Sequence, residues 1–120
     1  MHKRILVVDD DSMNLMRTKM ILGKEYDVLF ANSGIEALEK LRHEQVDLVL
    51  LDIEMPKLNG IETFERMKEF APNMPVIFLT ASGLEEDVRT AIRLGAVNYL
   101  MKPFQPQELM KRIAQEFEKQ

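Results

Sequence analysis

Acidic residues stand at the ends of two apolar segments of the sequence. Asp9, Asp10 and Asp11 follow the run ILVV, and Asp52 follows LVLL within the stretch LVLLDIEMP. A buried strand gains nothing from a carboxylate at its end unless that end meets a positive charge. Carboxylates that are brought together repel one another, and a hard divalent cation is the usual remedy. Mg²⁺ accepts oxygen ligands of this kind together with phosphate oxygens, so the acids predict a magnesium site.

Two further polar residues follow apolar segments later in the chain. Thr80 ends the run VIFLT, and Lys102 follows YLM. A hydroxyl and an ammonium group can each donate a hydrogen bond to an anionic oxygen. Either residue alone would indicate little, but together with the acids they provide for a metal and for a phosphoryl group. The chemistry that follows is attack of a carboxylate on phosphorus, which gives an aspartyl phosphate.

The elements that must position these residues alternate between strands and helices. The patterns predict strands over residues 4–8, 26–31, 46–51, 75–79 and 97–101. They predict helices over residues 12–22, from 32 or 33 to about 42, 61–70 and 84–94, with a last helix that begins at Pro106. Five such units favour an α/β fold, a doubly wound (βα)5 sandwich with helices on both faces of a parallel sheet. Two strand orders are plausible, of which 2-1-3-4-5 is the commoner for a domain this small.

The order 2-1-3-4-5 would bring the candidate residues to one place. The sheet then changes direction between the first and third strands, and ligands bind outside the carboxyl ends of those strands. Asp9, Asp10, Asp11 and Asp52 would lie at this crevice, with Thr80 and Lys102 at the ends of the next two strands. Asp11 immediately precedes the first predicted helix and is better explained as its N-cap.

Composition limits the function classes. The 120 residues suit a single domain over 1–120, and the chain has no cysteine, which excludes disulfides and thiolate chemistry. The net charge of −4 argues against direct nucleic-acid binding by this domain. No apolar run approaches a membrane span, and the start MHKRILVVDDD is not a signal peptide, because acids close its short apolar run. We therefore expect no membrane contact and a cytoplasmic location.

The segments VVDDD, LLDIEMPKLNG, FLTA and YLMKPF, in this order and spacing, resemble the response-regulator receiver domain of two-component signalling. The resemblance covers essentially the whole chain and implies a flavodoxin-like fold similar to that of chemotaxis regulators. It implies a phosphorylation-controlled switch that takes its phosphoryl group from a sensor histidine kinase or a histidine phosphotransfer protein. Such a domain is a signalling phosphoacceptor and not a conventional enzyme, although it assists its own phosphotransfer and dephosphorylation.

The resemblance also implies roles for the acidic residues that match its motifs. Asp52 would be the phosphoacceptor. Asp10 would bind Mg²⁺ directly, with Mn²⁺ as a substitute, and Asp9 would help through water or by direct contact. The backbone carbonyl of Glu54 would be a further protein ligand.

Other matching residues would carry the response. Lys102 would contact the phosphoryl group and pair with Asp52 beforehand. Thr80 would bond a phosphoryl oxygen, and Tyr99 would change rotamer with it. Gly60 fits a loop in which a residue with positive φ is often needed. The Lys102–Pro103 bond is cis in many receivers.

The resemblance places partner binding on helix 4, strand 5 and helix 5, for a homodimer or for an output partner. Candidate apolar contacts there are Met101, Phe104 and Met110. Receivers of winged-helix regulators often carry an acidic pair before the strand-5 tyrosine, where this chain has Val97 and Asn98, and this weakens the case for their salt-bridged dimer. Glu54 and Ser82 each stand two residues beyond a site residue and are expected to influence the lifetime of the phosphoryl group.

Two further expectations concern packing and alternative functions. Met13, Met16 and Met20 recur at helical spacing and are predicted to lie in the core. A receiver-like interaction module that never cycles phosphate would be favoured by loss of a site residue, and none is lost. A flavodoxin-like enzyme would need a phosphate-binding loop where this chain has DDDSMN. A haloacid-dehalogenase-type phosphatase would need a DxD motif after the first strand, together with matching cap and Thr/Ser motifs. The segment VVDDDSM has adjacent acids, and the matching motifs are absent from the sequence.

Overall fold

The computed structural model describes residues 2–81 and 85–119, and within them five strands alternate with five helices. The elements are β1 Arg4–Val8, α1 Ser12–Leu22, β2 Asp27–Ala31, α2 Gly34–His43, β3 Leu48–Asp52, α3 Gly60–Met67, β4 Val76–Thr80, α4 Glu85–Arg93, β5 Asn98–Met101 and α5 Pro106–Glu118. The described helices are all too short or too polar to cross a membrane.

All strand pairs are parallel and the order is β2-β1-β3-β4-β5. This confirms the predicted fold and decides between the two strand orders. Val8 of β1 pairs with Leu51 of β3. Asp9 and Asp52, the residues that come next in the two strands' sequences, are therefore neighbours. The order therefore brings the first and third strand ends together.

Some element bounds differ from the predicted ones, and β3 and β4 matter most for the site. Each ends one residue later than predicted, at Asp52 and Thr80, because the sheet pairing continues through these polar residues. Asp52 pairs with Leu79, and Thr80 pairs with Met101. The two side chains are thus fixed by the sheet itself and do not belong to the loops that follow.

Two apolar cores sandwich the sheet. Leu6, Val49 and Phe78 lie in the core beneath α2, α3 and α4. Ile5, Leu50 and Ile77 lie in the core on the other face, with α1 and α5. Successive residues of a strand point to opposite faces, so continuous apolar strands supply both cores at once.

The prediction that the α1 methionines lie in the core is wrong. Met13, Met16 and Met20 are 79%, 59% and 81% exposed, whereas Leu15, Thr18 and Leu22 are the buried residues of this helix. The two sets have the same helical spacing, so periodicity alone could not decide which face would meet the sheet.

The expectation of positive φ at Gly60 is also wrong. Positive φ occurs in the described chain at Lys57 and at Gly95, where α4 has just ended. Gly60 is needed for another reason: a Cβ atom there would lie 2.2 Å from the Asp52 carbonyl oxygen. The start of α3 therefore packs directly on the end of β3. The Lys102–Pro103 bond is cis, as the resemblance implied.

Candidate functional site

The candidate residues meet at the carboxyl edge of the sheet. Asp9 follows β1, Asp52 ends β3, Thr80 ends β4 and Lys102 follows β5. Neighbouring parallel strands bring these ends side by side. Four residues from separate segments of the chain therefore lie at one location.

Three carboxylates form the acidic part of the site. Asp9, Asp10 and Asp52 each offer an oxygen that lies within 4.8 Å of the other two. Asp9 and Asp52 are only 5% and 6% exposed, while Asp10 is exposed. Hard oxygen donors, two of them largely removed from water and one open to it, fit a divalent cation that keeps part of its hydration.

Lys102 supplies the positive charge of the site. Its Nζ lies 2.9 Å from Oδ2 of Asp9 and 3.7 Å from Oδ2 of Asp52. The expected pairing with Asp52 is present, but the closer partner is Asp9. Sequence reasoning missed this, although the position of Asp9 at the end of a central strand was a signal for it.

Backbone donors hold the buried carboxylates in place. The N–H of Asp11 donates to Oδ1 of Asp9 over 2.9 Å, and the N–H of Glu54 donates to Oδ1 of Asp52 over 3.3 Å. Asp11 also caps α1 by accepting the N–H of Met13, as predicted. The local turns after β1 and β3 therefore orient both side chains.

The surroundings of Asp52 disfavour its charged form. Burial raises its pKa to about 6, and the charges of Asp9 and Asp10 act in the same direction. The positive charge of Lys102 and the Glu54 N–H lower the pKa but do not offset the burial. The carboxylate is ionised at neutral pH, yet a cation or a positive partner would stabilise it.

Thr80 and Tyr99 lie on the same face of the sheet. Tyr99 pairs with Phe78, and Thr80 pairs with Met101 one step nearer the site. Thr80 is completely buried, and its hydroxyl donates to Oε1 of Glu54 over 3.4 Å. Tyr99 is half-buried against the core beneath α4. The Glu54 side-chain contact was not predicted, and Ser82 lies outside the described residues.

Comparison with known proteins gives a consistent result. A family profile described as the response regulator receiver domain matches residues 5–114. The chain is 40% identical over 114 residues to the alkaline phosphatase synthesis transcriptional regulatory protein PhoP of Bacillus subtilis (strain 168), covering 94% of this chain and 48% of that protein. The chain thus spans about half the length of this relative.

Solved structures agree with the sequence comparison. The chain is similar to a CheY-like response regulator receiver domain protein from Methanospirillum hungatei JF-1, with a TM-score of 0.95, 35% identity, and coverage of 99% of this chain and 96% of that one. It is also similar to a chain in the CheX-CheY-BeF3-Mg+2 complex from Borrelia burgdorferi, with a TM-score of 0.90, 29% identity, and coverage of 96% and 89%.

Proposed function

This chain belongs to the family of response regulator receiver domains, and from that premise we propose that it is a switch controlled by phosphorylation of Asp52. The observation that carries the proposal is the position of this carboxylate. Asp52 ends a central strand, is largely removed from water, and lies beside Lys102, Asp9 and Asp10.

The proposed step is a transfer of a phosphoryl group to Asp52. One carboxylate oxygen attacks phosphorus, and the new O–P bond forms as the P–N bond of a phosphohistidine breaks. The electron pair of the broken bond goes to the imidazole nitrogen, and the product is an aspartyl phosphate. Lys102, whose Nζ lies 3.7 Å from Oδ2 of Asp52, would stabilise the added negative charge.

The acidic residues are proposed to hold Mg²⁺. Asp9, Asp10 and Asp52, with the backbone carbonyl of Glu54, would be its protein ligands, and Mn²⁺ accepts similar oxygen donors. Bound Mg²⁺ would offset negative charge on the carboxylates and on the phosphoryl oxygens. The clustering of three carboxylate oxygens within 4.8 Å supports this assignment, as does the name of the Borrelia burgdorferi complex, which includes Mg²⁺.

Thr80 and Tyr99 are proposed to carry the signal from the site. A phosphoryl oxygen on Asp52 is a charged acceptor, which attracts a hydroxyl more strongly than a neutral acceptor does. Movement of the Thr80 hydroxyl would free space on the face of the sheet that Tyr99 shares. The Tyr99 ring, now half-buried, would then turn inward. Two conformations separated by a few kcal/mol suffice for such a switch.

The face formed by α4, β5 and α5 is proposed to bind the next partner, either an output partner or a second copy of the chain. Ile92, Val97 and Met101 expose apolar surface there. Phe104 and Met110 are partly buried against the core that lies beneath α1 and α5, so they expose less apolar surface to a partner than the sequence suggested. Large exposed apolar side chains are common where proteins associate.

Arg112 on α5 is held by hydrogen bonds within the chain. Its Nη1 donates to Oδ1 of Asn98 over 2.6 Å and to the Tyr99 carbonyl over 2.9 Å. Its Nη2 donates to Oε1 of Glu108 over 3.0 Å. These contacts within the chain already use the guanidinium, so we propose that association depends mainly on apolar contact.

The phosphodonor is proposed to be a sensor histidine kinase or a histidine phosphotransfer protein. The transfer is proposed to take place in the cytoplasm. We assign no nucleic-acid contact to this domain, because its net charge is −4. Relatives such as the Bacillus subtilis regulator are about twice as long as this chain.

The experiment that tests this function is labelling by acetyl phosphate, measured as the added mass of one phosphoryl group with and without Mg²⁺. The parent should be labelled only with Mg²⁺. Asp52→Asn should lose the label, and Asp10→Asn should be labelled much more slowly. Asp27→Asn, an exposed aspartate on β2, is the matched control and should behave as the parent. Full labelling of Asp52→Asn would place the nucleophile elsewhere.

A further inference from the structure

Glu54 contacts the site through two different groups. Its backbone N–H donates to Oδ1 of Asp52 over 3.3 Å, and its side-chain Oε1 accepts the hydroxyl of Thr80 over 3.4 Å. Thr80 is completely buried, whereas Glu54 is exposed. Glu54, which follows β3, therefore contacts both the proposed nucleophile and the hydroxyl that is proposed to respond to it.

The Glu54–Thr80 hydrogen bond is long for its type. Hydrogen bonds between a hydroxyl and an oxygen are most often 2.7–2.8 Å long, and those to a charged oxygen are often shorter still. A contact of 3.4 Å is therefore weak and easily exchanged for another acceptor. A hydroxyl has a single proton, so Thr80 can donate fully to only one acceptor at a time.

We propose that the Glu54 carboxylate is a resting acceptor of the Thr80 hydroxyl and competes with the phosphoryl group for it. The inference rests on the proposed function, because the competitor is an anionic group on Asp52. Glu54 is thus a positioning residue, which acts on the switch through Thr80 and takes no part in bond formation.

The competition favours the phosphoryl group for two physical reasons. A phosphoryl oxygen offers a charge-assisted hydrogen bond of better length than the present contact. The added negative charge near Asp52 also repels the Glu54 carboxylate, since Glu54 follows Asp52 by two residues and bonds it through its own N–H. The exchange converts a local charge into movement of a buried hydroxyl. Removing the carboxylate should therefore shift the resting population toward the responsive state.

The test is a titration with beryllium fluoride in excess Mg²⁺, followed by NMR signals of Thr80 and Tyr99. Beryllium fluoride serves as the phosphoryl mimic. Glu54→Ala removes charge and acceptor, while Glu54→Gln removes the charge and keeps an acceptor. The apparent Kd should fall about two- to threefold in Glu54→Ala, because the competing hydrogen bond that is lost is a weak one, and less in Glu54→Gln. Glu65→Ala, an exposed glutamate on α3, controls for net charge and should match the parent.

A second pair of variants shows whether the effect passes through the hydroxyl. Thr80→Val keeps the shape of the side chain and removes the donor, and Thr80→Ala serves the same purpose if valine disturbs folding. In either background Glu54→Ala should no longer differ from Glu54→Gln, because the coupling between neighbours is removed with one partner.

The outcomes separate this inference from the function on which it rests. Equal affinity in the parent, Glu54→Gln and Glu54→Ala would overturn the role of Glu54 and leave the function standing. A difference between Glu54→Ala and Glu54→Gln that persists without the Thr80 hydroxyl would also overturn it. If the parent itself gave no Mg²⁺-dependent response at Thr80 and Tyr99, the proposed function and this inference would fail together.

Discussion

At the scale of single residues, the environment of Asp52 opposes the charge that the proposed chemistry needs. Burial raises the pKa of Asp52 from 3.8 to about 6, with Lys102 only partly offsetting it. Because the folded-state pKa is the higher one, the folded protein holds this proton more tightly than the unfolded chain does. The contribution of Asp52 to stability is present below about pH 3.8 and is lost as the pH rises through about 6.

Asp52→Asn should therefore raise the free energy of unfolding at pH 7–8 in the absence of divalent cations. The full pKa shift corresponds to about 3 kcal/mol, and solvent screening at this open edge reduces the expected gain to about 1–2 kcal/mol. The gain should shrink as the pH is lowered from 6 to 4, where the parent carboxyl group becomes protonated. Urea unfolding at several pH values, with a chelator present, measures it.

The control for this prediction is Glu65→Gln, which removes a carboxylate at an exposed position of α3. Its stability relative to the parent should not show the rise between pH 4 and 7. A constant or falling stability difference for Asp52→Asn over that range would contradict the raised pKa.

At the scale of secondary-structure elements, the contact between β3 and α3 fixes the loop that carries Glu54. Gly60 is the first residue of α3, and its N–H donates to the Ile53 carbonyl over 2.9 Å. A Cβ atom there would meet the Asp52 carbonyl oxygen at 2.2 Å and the Ile53 Cα at 2.8 Å. Both are backbone atoms, so no side-chain rotation can relieve the contact.

Gly60→Ala should lower the free energy of unfolding by about 1–3 kcal/mol, the usual cost of inserting a methyl group into a packed region. Thermal or urea unfolding measures this loss.

Asn59→Ala is the comparison variant, because it removes the adjacent capping box of α3 without adding an atom. It should cost about 1 kcal/mol. If Gly60→Ala unfolded at the same denaturant concentration as the parent, α3 could move away from β3 at little cost.

At the scale of the whole molecule, the site and the proposed partner face are joined by β4 and β5. Thr80 at the site and Tyr99 beside α4 occupy the same side of the sheet. Ile92 on α4 and Met101 on β5 are exposed apolar residues of the proposed partner face. The proposed switch would use this route from the carboxyl edge to the face formed by α4, β5 and α5.

Ile92→Ser should weaken the association that beryllium fluoride and Mg²⁺ induce, measured as self-association by sedimentation. Burial of an isoleucine side chain contributes about 1.5–3 kcal/mol, so the dissociation constant should rise at least about tenfold. Ile35→Ser is the matched control, because Ile35 is 61% exposed on α2 and Ile92 is 58% exposed on α4. Equal weakening by both variants, or none by Ile92→Ser, would place the interface elsewhere.

The sequence by itself determined the alternation of elements, the bounds of β1 and α1, and the residues at the carboxyl edge. These followed from local signals: continuous apolar runs gave buried strands, and Asp52, Thr80 and Lys102 stood where such runs ended. The receiver resemblance added expected roles to the same positions.

Only the tertiary structure decided which side chains meet and which faces are covered. α1 carries two stripes of equal spacing, and packing on the sheet buried Leu15 and left Met16 in solvent. Lys102 could reach either of two acids, and the geometry of neighbouring strand ends brought it nearer Asp9 than Asp52. The Glu54–Thr80 contact joins residues 26 positions apart. Local sequence fixes periodicity and residue type, whereas long-range pairing depends on how the sheet aligns strands that are distant in the chain.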